Sequence, residues 1–380
     1  MKSISLFLLV IITYAVWPSR RAVSVAEQAP DVSLDLRHGW DGAFFTDMNH
    51  GYVFGDNALI ATNDGGASWR LVRDVGIASV FFLDGQRFWI LSGGGQLHAT
   101  SDAGGTLTVG SRTFRDTQTG RDRALCGQLS FLDPGNGWSM CGADVLKTID
   151  GGQTWTASSL PRELSESYRI HMFSAQEGIA VERLHAVIRT TDGGLTWTAV
   201  PNSPKLEEVS CTAAGFCAAL GSRHGPVFAS SDRGQSWKDT KAHLQLPDRD
   251  ELAALQALGP TLIVAAGSDT GRSYEIEVRP FLGTRTPPPR HGPPRALLLT
   301  YDGSTWTRFT HNEPREFGGL YFVDAQHGWL TGIHENLIYK TTDGGQTLQF
   351  VPDYFRQIAA LTPSPAPLVI PTPATPSGGP

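Results

Sequence analysis

The sequence predicts an all-β protein, a seven-bladed β-propeller of four-stranded antiparallel blades. Three observations lead there. One eight-residue pattern recurs along the chain, its copies are spaced about 40 residues apart, and a second motif keeps a near-constant offset from the first. By length alone, 380 residues would suggest two or three domains. Internal repetition overrides that expectation, because a ring of repeats grows as one domain.

The pattern is Ser/Thr-x-Asp-x-Gly-x-Ser/Thr-Trp. It occurs at Thr62 to Trp69, Thr148 to Trp155, Thr190 to Trp197 and Ser230 to Trp237. Two weaker copies, Thr100 to Leu107 and Thr341 to Leu348, carry Leu in place of Trp, and Thr300 to Trp306 is one residue short. The aspartates are Asp64, Asp102, Asp150, Asp192, Asp232, Asp302 and Asp343, with successive gaps of 38, 48, 42, 40, 70 and 41. A period near 40 is that of a four-stranded blade, and the gap of 70 reads as one blade plus an insertion.

The second motif is a short apolar strand ending in Asp, then Gly four residues on and an aromatic. It is seen at Phe45 to Asp47 with Gly51-Tyr52, Phe131 to Asp133 with Gly137-Trp138, and Phe322 to Asp324 with Gly328-Trp329. From this Asp to the aspartate of the eight-residue pattern the distance is 17, 17 and 19 residues. Each unit then reads as four strands. In the third they run Gly127 to Leu132, Gly137 to Cys141, Asp144 to Thr148 and Thr154 to Ala157. The eight-residue pattern is the hairpin turn between strands three and four. Its carboxylate and hydroxyl can accept backbone N–H groups, glycine supplies positive φ, and Trp begins strand four and packs its ring on its own or a neighbouring blade.

The four cysteines form two close pairs, Cys126 with Cys141 and Cys211 with Cys217. An even count at short spacing favours two local disulfides in an exported chain. Each would staple strand one to strand two of one blade.

Met1-Lys2-Ser3 followed by an apolar run from Leu6 to Val16 is a signal-peptide pattern, too short to span a bilayer. Residues 1–26 are read as the signal peptide, with Ser24-Val25-Ala26 as the cleavage site. Arg20 and Arg21 leave an uncleaved anchor open, and no cysteine stands near the site to carry a lipid. Residues 27–362 are the propeller, with the blades over about 41–351. Asp31 to Arg37 and Ile358 to Thr362 are both suited to supply a closing strand, and the sequence does not choose between them. An insertion at about 269–295 contains Thr286-Pro287-Pro288-Pro289, and residues 363–380, rich in Pro, Thr and Ser, read as a disordered tail.

These repeats resemble the Asp-box, or bacterial neuraminidase repeat, superfamily. It comprises sialidases, xyloglucan-active glycoside hydrolases, sortilin-like receptors and photosystem II stability/assembly factors. The Thr-x-Asp-Gly-Gly-x-Thr-Trp form, the Phe-x-Asp-x-x-x-Gly-Trp companion and the single seven-bladed size are most similar to the last group. The resemblance covers nearly the whole mature chain. It implies a binding or assembly scaffold, while fold alone does not fix function.

A sialidase-like hydrolase is the alternative. Such enzymes need an arginine cluster, a Tyr nucleophile with a Glu partner and an Asp acid/base, and they carry Phe/Tyr-Arg-Ile-Pro before the first box. Here nothing of that kind precedes Asp64, and Tyr168-Arg169-Ile170-His171 lies mid-chain and lacks the Pro. Box aspartates set one per blade cannot approach to the roughly 5–10 Å that paired-carboxylate glycoside hydrolysis needs. No catalytic residue, metal site or cofactor is therefore expected, and no HExxH, EF-hand or Walker motif occurs.

The box turns should share one face. The loops from strand two to three, and from strand four to the next blade, should form the other. Those loops hold Arg183, His185, Arg223, His224 and His334, and Arg112, Arg115, Arg162 and Arg315. Against a net charge of -6 this is a locally basic face, and arginine forks hold carboxylates in bidentate fashion. The expected partner is a client protein or peptide segment, either a membrane-protein loop or a carboxylate terminus. The resemblance points the same way, since the assembly factors are thought to hold a client on a similar basic patch. The competing reading is that these charges are solvated and paired locally with Asp116, Asp122 and Glu163. The low net charge argues against nucleic acid. The mature chain is expected to be a periplasmic or secreted monomer without a membrane span.

Overall fold

A computed structural model of the chain describes residues 40–55, 58–74, 76–160, 169–181, 186–222, 225–246, 250–269, 295–311, 317–332, 337–352 and 357. These form seven antiparallel sheets of four strands, each sheet built from one uninterrupted stretch in the order one-two-three-four. Blade one is Trp40–Phe45, Gly51–Gly55, Ala58–Thr62 and Arg70–Asp74. Blade two is Ile77–Phe82, Phe88–Ser92, Leu97–Thr100 and Thr108–Val109. Blade three is Leu129–Phe131, Gly137–Cys141, Asp144–Thr148 and Thr156–Ser159. Blade four is Arg169–Met172, Gly178–Val181, Ile188–Thr190 and Thr198–Ala199. Blade five is Glu208–Cys211, Cys217–Leu220, Val227–Ser230 and Lys238–Asp239. Blade six is Glu251–Gly259, Leu262–Asp269, Arg295–Tyr301 and Trp306–His311. Blade seven is Phe317–Phe322, Gly328–Gly332, Ile338–Thr341 and Gln349–Val351. First strands of neighbouring blades touch one another at six of the seven junctions, which makes them the inner strands.

In six blades the box turn is held by the same bonds. The Thr148 hydroxyl donates to Asp150 Oδ1 at 2.8 Å, the Thr154 amide donates to the same oxygen at 2.9 Å, and the Thr154 hydroxyl donates to Oδ2 at 2.6 Å. The Gly152 amide donates to the Thr148 hydroxyl at 2.9 Å. Both central residues have positive φ, usually glycine, but Ala103 (61°) and Arg233 (58°) adopt it in blades two and five. Blade six departs because its copy is one residue short. Tyr301, not Thr300, pairs across to Ile263, and Asp302 is capped by the amides and hydroxyls of Ser304 and Thr305.

The companion motif is tied to the box by a second conserved geometry. The amide of the first central box residue donates to a carbonyl in the turn joining strands one and two. The pairs are Gly65 to Asn49, Ala103 to Gln86, Gly151 to Gly135, Gly193 to Gln176, Arg233 to Gly215 and Gly344 to Gln326, at 2.8–3.2 Å. A fixed hydrogen bond between two turns explains the fixed spacing of the motifs, and it puts both turns on one face of the ring.

Box tryptophans sit just before strand four in most blades rather than beginning it, as Trp155 does ahead of Thr156–Ser159. The tryptophans of strand two link blades. Trp89 stacks on Phe131 of blade three, centroids 3.8 Å apart, and its indole donates to the Gly151 carbonyl there at 3.0 Å. Trp138 donates in the same way to Gly193 of blade four at 2.9 Å. Trp329 stacks on Phe45 at 3.6 Å and joins blade seven to blade one.

That contact also shows how the ring closes. Each of the seven sheets has four strands among the described residues, and the two candidate closing segments, Asp31 to Arg37 and Ile358 to Thr362, lie outside the described residues. Among the described residues blades one and seven meet largely through side chains. Trp40, Phe45, Trp69, Trp329, Ile338 and Val351 share one core, and the Trp69 indole donates to the Pro352 carbonyl at 2.9 Å. The signal segment and the Pro-rich tail also lie outside the described residues.

Two interruptions break the period. The 48-residue gap contains an additional two-stranded ribbon, Thr113–Arg115 with Asp122–Ala124, between blades two and three. The insertion of the longer gap falls between strands two and three of blade six, where Asp269 pairs with Arg295. Its residues 270–294 lie outside the described residues. Both disulfides form. Cys211 and Cys217 are directly opposed on strands one and two of blade five, and Cys126, just ahead of strand one of blade three, bridges to Cys141 on strand two.

Candidate partner-binding face

With the box and companion turns on one face, the ends of strands two and four open onto the other. Most of the residues expected to line that face fall outside the described residues: Arg162, Arg183, His185, Arg223, His224, Arg315 and His334. In sequence they lie between strands whose ends point to that face. Arg183 and His185, for example, stand between Val181 and Ile188, and Arg223 and His224 between Leu220 and Val227.

Arg112 and Arg115 are described. Arg115 is exposed and pairs with Asp122 at 3.4 Å across the ribbon. Arg123 pairs with Asp116 at 2.7 Å and reaches Asp144 at 3.6 Å. Asp116 is buried, and Arg123 first, then the Thr119 amide and hydroxyl, hold its carboxyl far below the usual range. At the ribbon, Arg115 and Arg123 are thus each paired with a ribbon aspartate. Arg112 differs. Its Nε donates to the Gly94 carbonyl at 3.2 Å, and no acidic side chain among the described residues pairs with it.

Arg112 forms one edge of an open cleft of about 440 Å³ between blades one and two. Arg73, Ser92, Gly94, Gln96, His98 and Val109 complete it. Arg73 belongs to the last strand of blade one, while His98 and Val109 are cross-strand neighbours on blade two. The cleft continues outward from the apolar core that Leu59 and Ala61 share with Phe88 and Ile90. Arg73 Nη2 lies 3.5 Å from His98 Nε2. A guanidinium only donates, so Nε2 is the acceptor and the imidazole proton is on Nδ1. Burial first, and the Arg73 charge second, push the His98 pKa down. The loop-centred sequence reading missed Arg73 and His98 because both lie within strands.

The box carboxylates are committed to their turns. The Thr347 hydroxyl and amide lower the Asp343 pKa from 3.8 to about 2. Asp64 and Asp102 are lowered by the same two donors of Ser68 and Thr106. At Asp150, Asp192 and Asp232 burial pushes the other way, and the donors outweigh it. Each thus stays ionised with both oxygens occupied, a poor starting point for acid–base work. On the inner strands Arg169 pairs with Glu208 at 3.4 Å, and Glu208 is pushed up by burial. Tyr168 lies outside the described residues. Among the described residues no group of His, Cys, Asp and Glu could hold a metal ion, and no helix is long and apolar enough to cross a membrane.

Residues 112–246 match the family model described as photosynthesis system II assembly factor YCF48. A curated relative, the photosystem II assembly lipoprotein Ycf48 of Synechococcus sp. (strain CC9902), is 33% identical over 146 residues, 36% of this chain and 42% of that protein. The match thus spans less than half of that relative's length. Among solved structures, a YCF48 bound to a D1 peptide is 20% identical, with TM-score 0.55, covering 85% of this chain and 96% of that one. YCF48 from Cyanidioschyzon merolae is 14% identical, with TM-score 0.55 over 83% of this chain and 98% of that one. A xyloglucanase from Xanthomonas campestris has TM-score 0.57 at 12% identity, covering 83% of this chain and 54% of that one. The resemblance to the photosystem II assembly factors, read from the repeats, reappears in the family and curated matches, and the structures share the propeller fold.

Proposed function

We propose that this chain is an exported, non-enzymatic binding scaffold of the photosystem II assembly-factor type, capturing a client segment on the face opposite the Asp boxes. One observation carries the reading. The 112–246 stretch that matches the assembly-factor model contains Arg112, Arg115, Arg162, Arg183, His185, Arg223 and His224, seven of the nine residues assigned to that face. The YCF48 structure of similar fold is bound to a D1 peptide, which supports a client peptide segment as the ligand. Residues 1–26 act as the export signal and 27–362 as the propeller, which works in the periplasm or outside the cell. A sialidase-like hydrolase finds less support: the box carboxylates are bound within turns, and Arg169 is engaged by Glu208.

The test is affinity capture with residues 27–380 on the envelope fraction of the native cell, comparing wild type with Arg183→Glu/Arg223→Glu. A specific client lost in the variant is expected. Capture that is unchanged by the charge reversal would remove the basic face from the proposal. Hydrolysis of a fluorogenic glycoside by the purified chain would overturn the non-enzymatic reading.

A further inference from the structure

We propose that the cleft between blades one and two is a carboxylate-binding site, with Arg73 and Arg112 as its cationic walls and His98 at its floor. The site is separate from the strand two-to-three loops of blades four, five and seven, and Arg112 is the one residue it shares with the face described above.

The first argument is positional. Two residues before the start of the box, each third strand turns a side chain toward the preceding blade. Allowing for the one-residue offset in blade six, the seven occupants are Ile60, His98, Leu146, Ile188, Phe228, Leu299 and Tyr339. Six are aliphatic or aromatic and pack into interblade cores. Blade two alone puts an imidazole there, only 8% exposed, where packing would favour hydrocarbon. The second argument is donor accounting. Arg73 Nε is buried and has no acceptor among the described residues, and a buried donor without an acceptor is unfavourable. Arg73 and Arg112 both line a space open to solvent, and no carboxylate among the described residues answers either. Ser92 Oγ accepts the Gln96 amide at 3.1 Å, which leaves its own O–H to donate to a guest.

These groups fit a carboxylate. Planar guanidinium forks match its two oxygens, Ser92 supplies a further donor, and Val109, 61% exposed on the cleft wall, offers an apolar contact for the attached carbon chain. The carboxylate comes from a free small acid or from a peptide, and the same chemistry serves both.

The test follows the His98 imidazole by NMR in the full mature chain labelled with ¹⁵N-histidine. Four probes are used: succinate, N-acetyl-valyl-leucine, its C-terminal amide and inorganic phosphate. Succinate or the dipeptide acid should shift the His98 signals saturably. Arg73→Gln and Arg112→Gln should each weaken binding by about tenfold, the loss of one charge-assisted hydrogen-bonding partner. A dipeptide acid that binds more tightly than succinate, with its amide silent, identifies a chain end. Succinate binding as well or better identifies a free small carboxylate. Phosphate binding more tightly than either acid overturns the carboxylate assignment. An unmoved His98, or a shift that survives both arginine substitutions, overturns the site. Arg112 is exposed and its substitution leaves the blade packing intact, so the test stands even if Arg73→Gln fails to fold. Client capture that persists in the Arg73→Gln variant, at a residue outside those assigned to the binding face, would separate failure of this site from failure of that face.

Discussion

Trp329 of blade seven lies flat on Phe45 of blade one, centroids 3.6 Å apart and planes within 5°. It is the same clasp that Trp89 makes on Phe131. Both partners at the closure are buried, Trp329 fully. Trp329→Ala should therefore destabilise the ring by about 3–5 kcal/mol, the range for emptying a large aromatic site, and Trp329→Phe by clearly less. Urea unfolding followed by tryptophan fluorescence measures both. Equal small losses for the two variants would show that the clasp does not hold the ring shut.

Ala103 takes the left-handed conformation that glycine occupies in the boxes of blades one, three, four and seven. An L-residue there costs about 1–2 kcal/mol, part of which glycine returns as unfolded-state entropy. Ala103→Gly should raise stability by about 0.5–1 kcal/mol, seen as a higher urea midpoint with an unchanged slope. The Ala103 carbonyl keeps its bond from Arg70 Nη2 in the variant, because only the side chain changes.

Acid should act in two windows. Burial lowers the His171 pKa from 6.5 to about 4. Over that interval the unfolded chain binds a proton that the folded chain refuses, so stability falls as pH drops from 6.5 to 4. Box carboxylates such as Asp343, lowered from 3.8 to about 2 by the Thr347 donors, give full stabilisation above their unfolded value and lose it as pH falls through the folded one. His171→Gln should shrink the first window, to which buried His98 also contributes, and leave the second. Thermal midpoints taken between pH 7 and pH 2 test this, and a profile unchanged by the substitution would count against the buried neutral imidazole.

The two disulfides close loops of unequal size, with sequence separations of 15 and 6. On the chain-entropy model their removal costs about 3 and about 2 kcal/mol. Cys126→Ser/Cys141→Ser should be the weaker of the two double variants in denaturant, and a reversed order would point to native-state contacts rather than loop closure.

Much of this architecture is legible in the sequence because it depends on local chemistry. Asp150 and Thr148 specify a turn that needs only neighbours four residues away. The companion offset reports one backbone hydrogen bond between turns. What escaped reading depends on distant parts of the chain. The Thr113–Ala124 ribbon has short, charged strands with no apolar alternation, so its pairing through Arg123 and Asp116 leaves no periodic trace. Ring closure by Trp329, Phe45 and Trp69 uses side chains that look like ordinary core residues in any single repeat. Arg73 and His98 carry no loop or motif signal, since both lie within strands. Aligning the repeats by their boxes would have shown His98 standing where every other blade has a hydrocarbon or aromatic group.

Among the described residues every sheet is complete within its own stretch of chain, and the first and last meet through side-chain packing and bonds between side chains and backbone. Among the described residues no strand is shared across the closing seam. A gene encoding this ring can gain, lose or exchange a whole unit by splicing between consecutive blades without severing a ladder of backbone bonds. It can also be re-cut at another seam and joined end to end. In a propeller whose closing sheet borrows a strand from the far end, either change would orphan that strand. This architecture leaves the number of units and the starting point open to recombination, while the composition of each seam decides whether the circle holds.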